Sequence, residues 1–164
     1  MHIDLFELSR NRAEVAGESA IAAMMRVDTP ERGSELRWRA RGTGTPSGAA
    51  AFFLDIEGAI QLICQRCLAP MSFPIAIRSR FRIVPDEGAA MAIDATDDDY
   101  DAMVGSANFD LDALIEDEVI LALPIAPRHA VCPVSAEPPL AVGRKPSPFA
   151  MLASLKSTER KMGE

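Results

Sequence analysis

Several residue types are scarce in this chain: 164 residues hold two histidines, one tryptophan, one tyrosine and three cysteines. Three cysteines are an odd number, and a chain of this length can bury a sizeable core without cross-links, so a secreted disulfide framework is not expected. No apolar run approaches the ~20 residues that a membrane-spanning helix needs. The opening stretch MHIDLFELSRNRAEV carries acids and arginines where a targeting signal would be apolar. The expectation is a soluble, cytoplasmic protein with reduced thiols and no membrane partner. Enzyme signatures are missing too. There is no glycine-rich phosphate loop and no serine in a nucleophile elbow, and the two histidines are His2 near the terminus and His129 close to a cysteine. A non-enzyme with no small-molecule substrate is therefore expected.

Bases are absent from one long stretch. Ile83 to Pro127 holds 12 acids and no lysine or arginine. The segment before it has 11 arginines against 9 acids, the segment after it 6 bases against 3 acids, and the net charge is −7. Overall acidity argues against unselective coating of nucleic acid, which is driven by phosphate neutralisation. The acidic block reads as a solvated face or loop, or as a surface offered to a basic partner.

What remains is patterned as α+β. NRAEVAGESAIAAMMRVD has an alanine-rich helical composition. ELRWRARG alternates strictly, with Leu36, Trp38 and Ala40 on one side and Arg37, Arg39 and Arg41 on the other. AAFFLDIEG puts Phe52, Leu54 and Ile56 inward and Asp55 and Glu57 outward, and Gly58 is expected to end that strand. AIQLIC reads as a third short strand. MSFPIAIRSRFRIV follows, with Phe73, Ile75, Ile77, Phe81 and Ile83 on one face and Arg78, Arg80 and Arg82 on the other. Pro74 within it indicates an edge strand or bulge. An antiparallel meander of about four or more strands follows from this spacing. Residues 85–108 are expected to form a mobile acidic loop. A long helix should occupy about 110–123, with Asp110 as N-cap, Leu111, Leu114, Ile115, Val119 and Ala122 as its buried stripe, Glu116 and Asp117 facing water, and Pro124 as its stop. The whole is read as one domain over 1–145. A tail over 146–164 follows, whose short helix carries Phe149, Leu152 and Leu155 at spacing three.

Cysteine spacing carries the first chemistry. ICQRCLAP places Cys64 and Cys67 at C-x-x-C spacing, and RHAVC places His129 and Cys132 at the same separation. Two such turns supply a tetrahedral Cys-Cys-His-Cys set suited to zinc. A glycine usually found in such knuckles is missing among Gln65, Arg66 and Leu68. Two other readings stay open: three small buried hydrophobes with a hydrogen-bonded histidine, or a redox pair. The redox reading lacks the helix N-terminus that lowers such thiols.

Arginine alternation carries the second. Arg37, Arg39, Arg41, Arg78, Arg80 and Arg82 fall on the solvent side of their strands, and guanidinium groups suit bidentate phosphate contact. Asp55 and Glu57 on the intervening strand can instead pair with them across the sheet. Trp38, Phe73 and Phe81 face the other way, so no aromatic platform for bases is evident.

Taken together, CQRCL, LDALIEDEVILALPIAPRHAVC and KPSPFAMLASLK make the chain, over roughly residues 15 to 157, resemble the YceD family of large ribosomal RNA subunit accumulation proteins. The matching positions are Cys64, Cys67, Glu116, Glu118, Leu123, Pro124, His129, Cys132, Pro148, Phe149 and Lys156. The resemblance implies a non-enzymatic role in synthesis, processing or stability of large-subunit ribosomal RNA, with that RNA or a preribosomal particle as partner. It brings no catalytic residues. The rival reading is an acidic binder of a basic ribosomal protein, using Asp97, Asp98, Asp99 and Asp101 with the Phe149, Leu152 and Leu155 ridge.

Overall fold

The computed structural model describes residues 1–27, 29–30, 33–45, 48–94 and 99–133. Residues 1–131 pack as one compact unit. Its centre is a five-stranded sheet, β2 (Glu14–Ala20), β3 (Glu35–Gly44), β4 (Ala50–Ile63), β5 (Pro70–Val84) and β6 (Asp101–Val104), ordered in space as in sequence. The first four strands form an antiparallel meander, and β6 lies parallel to β5. A two-residue ladder joins β1 (His2–Ile3) to β7 (Phe109–Asp110). The helices are α1 (Leu5–Arg10), α2 (Glu87–Asp94) and α3 (Leu111–Ala122). Among the described residues, no helix is long and apolar enough to cross a membrane.

The core follows from strand alternation. Leu36, Trp38, Ala40, Phe52, Leu54, Ile56, Ile75, Phe81 and Ile83 are buried on one face, where α1 packs on β3 and β4 and α3 packs on β5. Burying a side chain of this size stabilises by about 1.5–3 kcal/mol. Asp110 caps α3, its carboxylate accepting from the N–H groups of Asp112 and Ala113. Glycine is required where α1 presses on the sheet, because a Cβ on Gly42 would lie 1.9 Å from the carbonyl oxygen of Leu8.

Several expectations need correction. The alanine-rich segment read as a helix contains β2, because pairing with β3 and the contact of Gly17 with the Trp38 ring override its helical propensity. The N-terminal helix is instead α1, capped by Asp4, whose side chain accepts from the N–H groups of Phe6 and Glu7. Gly58 does not end a strand. β4 runs through it and absorbs the expected third strand, while a Cβ there would sit 2.6 Å from Leu36 Cδ2, where β3 leaves β4. The expected loop 85–108 holds α2 and β6. Ala122 is exposed, and Glu116 is half-buried, paired with the Arg26 guanidinium at 3.2 Å beside Asp117 at 2.6 Å. Pro74 sits where β6 does not reach, so β5 is the sheet edge there. Asp99 lies in a turn and Asp101 opens β6. Asp97, Asp98 and the expected helix of Phe149, Leu152 and Leu155 lie outside the described residues.

Candidate metal centre and arginine-lined face

Residues 64–69 are the loop of the β4–β5 hairpin, and its backbone is built around Cys64. The Cys64 N–H donates to the Ala69 carbonyl at 3.0 Å, and the Leu68 N–H donates back to the Cys64 carbonyl at 2.9 Å. Leu68 takes φ +60° with its side chain exposed. That is the left-handed conformation a glycine adopts freely and a leucine adopts at a cost of about 1–2 kcal/mol. The knuckle therefore forms without the glycine whose absence weakened the sequence signal.

The segment after α3 is tied to this loop by its own backbone. The Gln65 N–H donates to the Pro127 carbonyl at 2.8 Å, Arg66 donates to the His129 carbonyl at 3.2 Å, and the His129 N–H donates to Cys64 Sγ at 3.4 Å. Cys67 Sγ lies 3.4 Å from His129 Nδ1. With Cys132, the next residue beyond the compact unit, one ligand atom from each of Cys64, Cys67, His129 and Cys132 lies within 4.8 Å of the others. The three cysteines form no disulfide. Zn–S bonds near 2.3 Å set a tetrahedral edge of about 3.8 Å, so the observed spacing fits one ion.

Electrostatics at Cys64 agree with that fit. Its side chain is fully buried, which by itself pushes the thiol up, but the N–H groups of His129, Cys67 and Arg66 and the Cys67 side chain bring it down to about 5. A thiolate held by backbone donors is the form that binds metal.

The opposite face of the sheet carries the arginines. Strand register aligns them in rows: Glu14–Arg41–Phe53–Arg80, Ala16–Arg39–Asp55–Arg78 and Glu18–Arg37–Glu57–Ala76. All of these except Glu14 and Ala76 line a groove of about 960 Å³. The structure thus brings five of the expected arginines together, and Arg82 stands two residues further along β5, opposite Ala51. It also interleaves them with carboxylates. Arg39 meets Glu14 at 3.4 Å and Arg41 meets Asp55 at 3.1 Å. Among the described residues, Arg78 and Arg80 form no ion pair, although Asp55 stands opposite Arg78 in register.

One residue escaped the sequence reading. Phe53 shares the outer face with Arg41 and Arg80, and its ring stacks near Tyr100, with centroids 6.4 Å apart and planes 27° from parallel. The signal was present in the Phe52–Phe53 doublet, since adjacent residues of a strand must point to opposite faces.

Residues 53–156 match the family described as large ribosomal RNA subunit accumulation protein YceD. The chain belongs to the YceD family. It is also 34% identical over 107 residues to the Haemophilus influenzae large ribosomal RNA subunit accumulation protein YceD, an alignment covering 59% of this chain and 60% of that protein. No solved structure matches. The family match takes in β5, α3 and all four residues of the Cys/His cluster, whereas Arg37, Arg39 and Arg41 lie before it.

Proposed function

We propose that this chain is a non-enzymatic factor supporting the synthesis, processing or stability of large-subunit ribosomal RNA, and that it meets that RNA or the preribosomal particle in the cytoplasm. The observation that carries this reading is the family match across β5, α3 and the Cys/His cluster, joined to the name of the Haemophilus influenzae relative. Ultraviolet crosslinking in cells, followed by recovery of the tagged chain, tests it. Enrichment of large-subunit over small-subunit RNA is expected. Equal recovery of both, at the level of an untagged control, would overturn it.

Within this reading the Cys/His cluster holds a structural zinc. Four protein ligands would close the tetrahedron and leave no open position for a substrate or water, in keeping with a non-enzyme. The ion would fasten the segment after α3 to the β4–β5 hairpin. The chain as purified without chelator is expected to carry about one equivalent of zinc, measured by elemental analysis. A metal-free preparation with unchanged thermal stability would remove the zinc.

The alternative, an acidic binder of a basic ribosomal protein, is less well supported. Many acids of the 83–127 stretch are engaged within the fold: Asp110 caps α3, Asp86 accepts from the Ala89 N–H, Glu116 and Asp117 hold Arg26, and Glu118 accepts from Ser79.

A further inference from the structure

The outer sheet face differs from end to end in a way that selects its ligand. Toward β2 and the centre, its arginines are neutralised: Arg39 by Glu14, Arg41 by Asp55, while Arg37 stands in register between Glu18 and Glu57. Toward β5 the balance changes. Arg78 and Arg80 are exposed, two positions apart on one face of the strand, and β6 pairs only with Phe81–Val84, so their stretch of β5 is the rim of the sheet. Two residues along a strand advance about 6.6 Å, comparable with the step between neighbouring phosphates of a single strand. Between Arg41 and Arg80 stands Phe53, partly exposed, with Tyr100 stacked beside it just before the Phe81–Asp101 register position.

Phosphates and bases have different requirements, and this rim meets both. Guanidinium groups take phosphate oxygens in bidentate fashion. Aromatic faces take unpaired bases whatever their identity. A duplex hides the faces of its bases and is read through its backbone and 2′-hydroxyls, so partly exposed rings beside arginines favour an unpaired strand. The carboxylates of Glu18 and Glu57 repel phosphate from the other half of the groove and keep the backbone on the β5 side, while Asp55, in register with both Arg39 and Arg78, is held by Arg41 at 3.1 Å. We propose that the rim formed by Arg78, Arg80, Phe53 and Tyr100 binds single-stranded RNA, with phosphates on the two arginines and a base against the Phe53–Tyr100 pair.

The inference rests on the reading of the chain as a large-subunit RNA factor, and its test is separable from that reading. Full-length protein is titrated against a fluorescent oligouridine, a duplex RNA of equal length and an acidic peptide, over a range of salt, with unfolding curves recorded for each variant. Oligouridine should bind more tightly than the duplex. Arg78→Ala/Arg80→Ala should weaken it at least tenfold and reduce the magnitude of the salt slope by about 1.4, the contribution of two phosphates on a single strand. Phe53→Leu and Tyr100→Leu should each weaken it about tenfold while leaving the slope unchanged. Arg39→Ala, already paired to Glu14, should change affinity less than twofold. Unchanged affinity in folded Arg78→Ala/Arg80→Ala protein overturns the proposal, as does duplex binding that ignores Phe53 and Tyr100. Binding of the acidic peptide in place of oligouridine, with the same arginine dependence, would mark a protein surface and equally overturn it. A chain that sustains large-subunit RNA in cells and ignores oligouridine would leave the functional reading standing and remove only this site.

Discussion

The cysteine hairpin and the outer sheet face are held by opposite means. At the hairpin, a buried sulfur is ringed by backbone donors from residues 66, 67 and 129, and two chain segments far apart in sequence are bound to one another by directional contacts. On the outer face, side chains are aligned by strand register, joined by contacts such as Arg41–Asp55 and Phe53–Tyr100, and are exposed or half-buried. Removing a member from the first region leaves buried polar groups without their partner. Removing one from the second leaves the sheet intact. The hairpin corner therefore bears on folding, the face is free for the RNA contact proposed above, and substitutions separate the two.

The largest expected contrast is between Cys64→Ser and Arg78→Ala. Losing the buried thiol should lower the unfolding free energy by on the order of 3 kcal/mol, and losing the exposed arginine should change it by less than about 0.5 kcal/mol. Denaturant titration of both variants checks this, and equal costs would break the comparison.

Next in size is pH dependence. Cys64 is held at about 5 in the folded chain, below its ordinary value of 9.0. A group depressed by folding contributes stability that is fully present above its unfolded value and lost as pH falls through its folded value. Metal-free wild type should therefore gain stability over Cys64→Ala between about pH 5 and pH 9. Denaturation midpoints of the two proteins across that window would show it, and a constant difference would contradict the thiolate.

A smaller effect concerns the knuckle. Leu68→Gly should raise the unfolding free energy by about 0.5 kcal/mol, since relief of the left-handed backbone exceeds the entropy glycine adds to the unfolded chain. A loss of stability would show that the leucine side chain contributes more than its backbone costs. Smallest is the Arg41–Asp55 pair, whose partners are 46% and 28% exposed. A double-mutant cycle should give a coupling below about 0.5 kcal/mol, and a larger value would mean the outer face also supports the fold.

How far the sequence foretold these regions depends on the kind of signal each carries. β3 and β5 were legible because one face is buried and the other wet, so apolar residues and arginines alternate over many positions. β2 was not, because Ala16, Gly17 and Ala20 give no contrast between faces, and its identity comes from the neighbouring strand. α1 did carry a local mark, Asp4 with Glu7 three residues later. It was hidden by the shortness of the helix. α2 and β6 were obscured by the surrounding acids. The four metal-ligand candidates were legible as a spacing, but their convergence depends on contacts such as Gln65 with Pro127 that no spacing encodes. Phe53 was overlooked because Phe52 beside it accounted for an inward aromatic.

The central claim, support of large-subunit ribosomal RNA, is tested most directly by measuring the ratio of large- to small-subunit ribosomal RNA in cells lacking this chain, with and without a restored wild-type copy. The account predicts that the ratio falls on removal and recovers on restoration. A ratio unchanged by removal would contradict it.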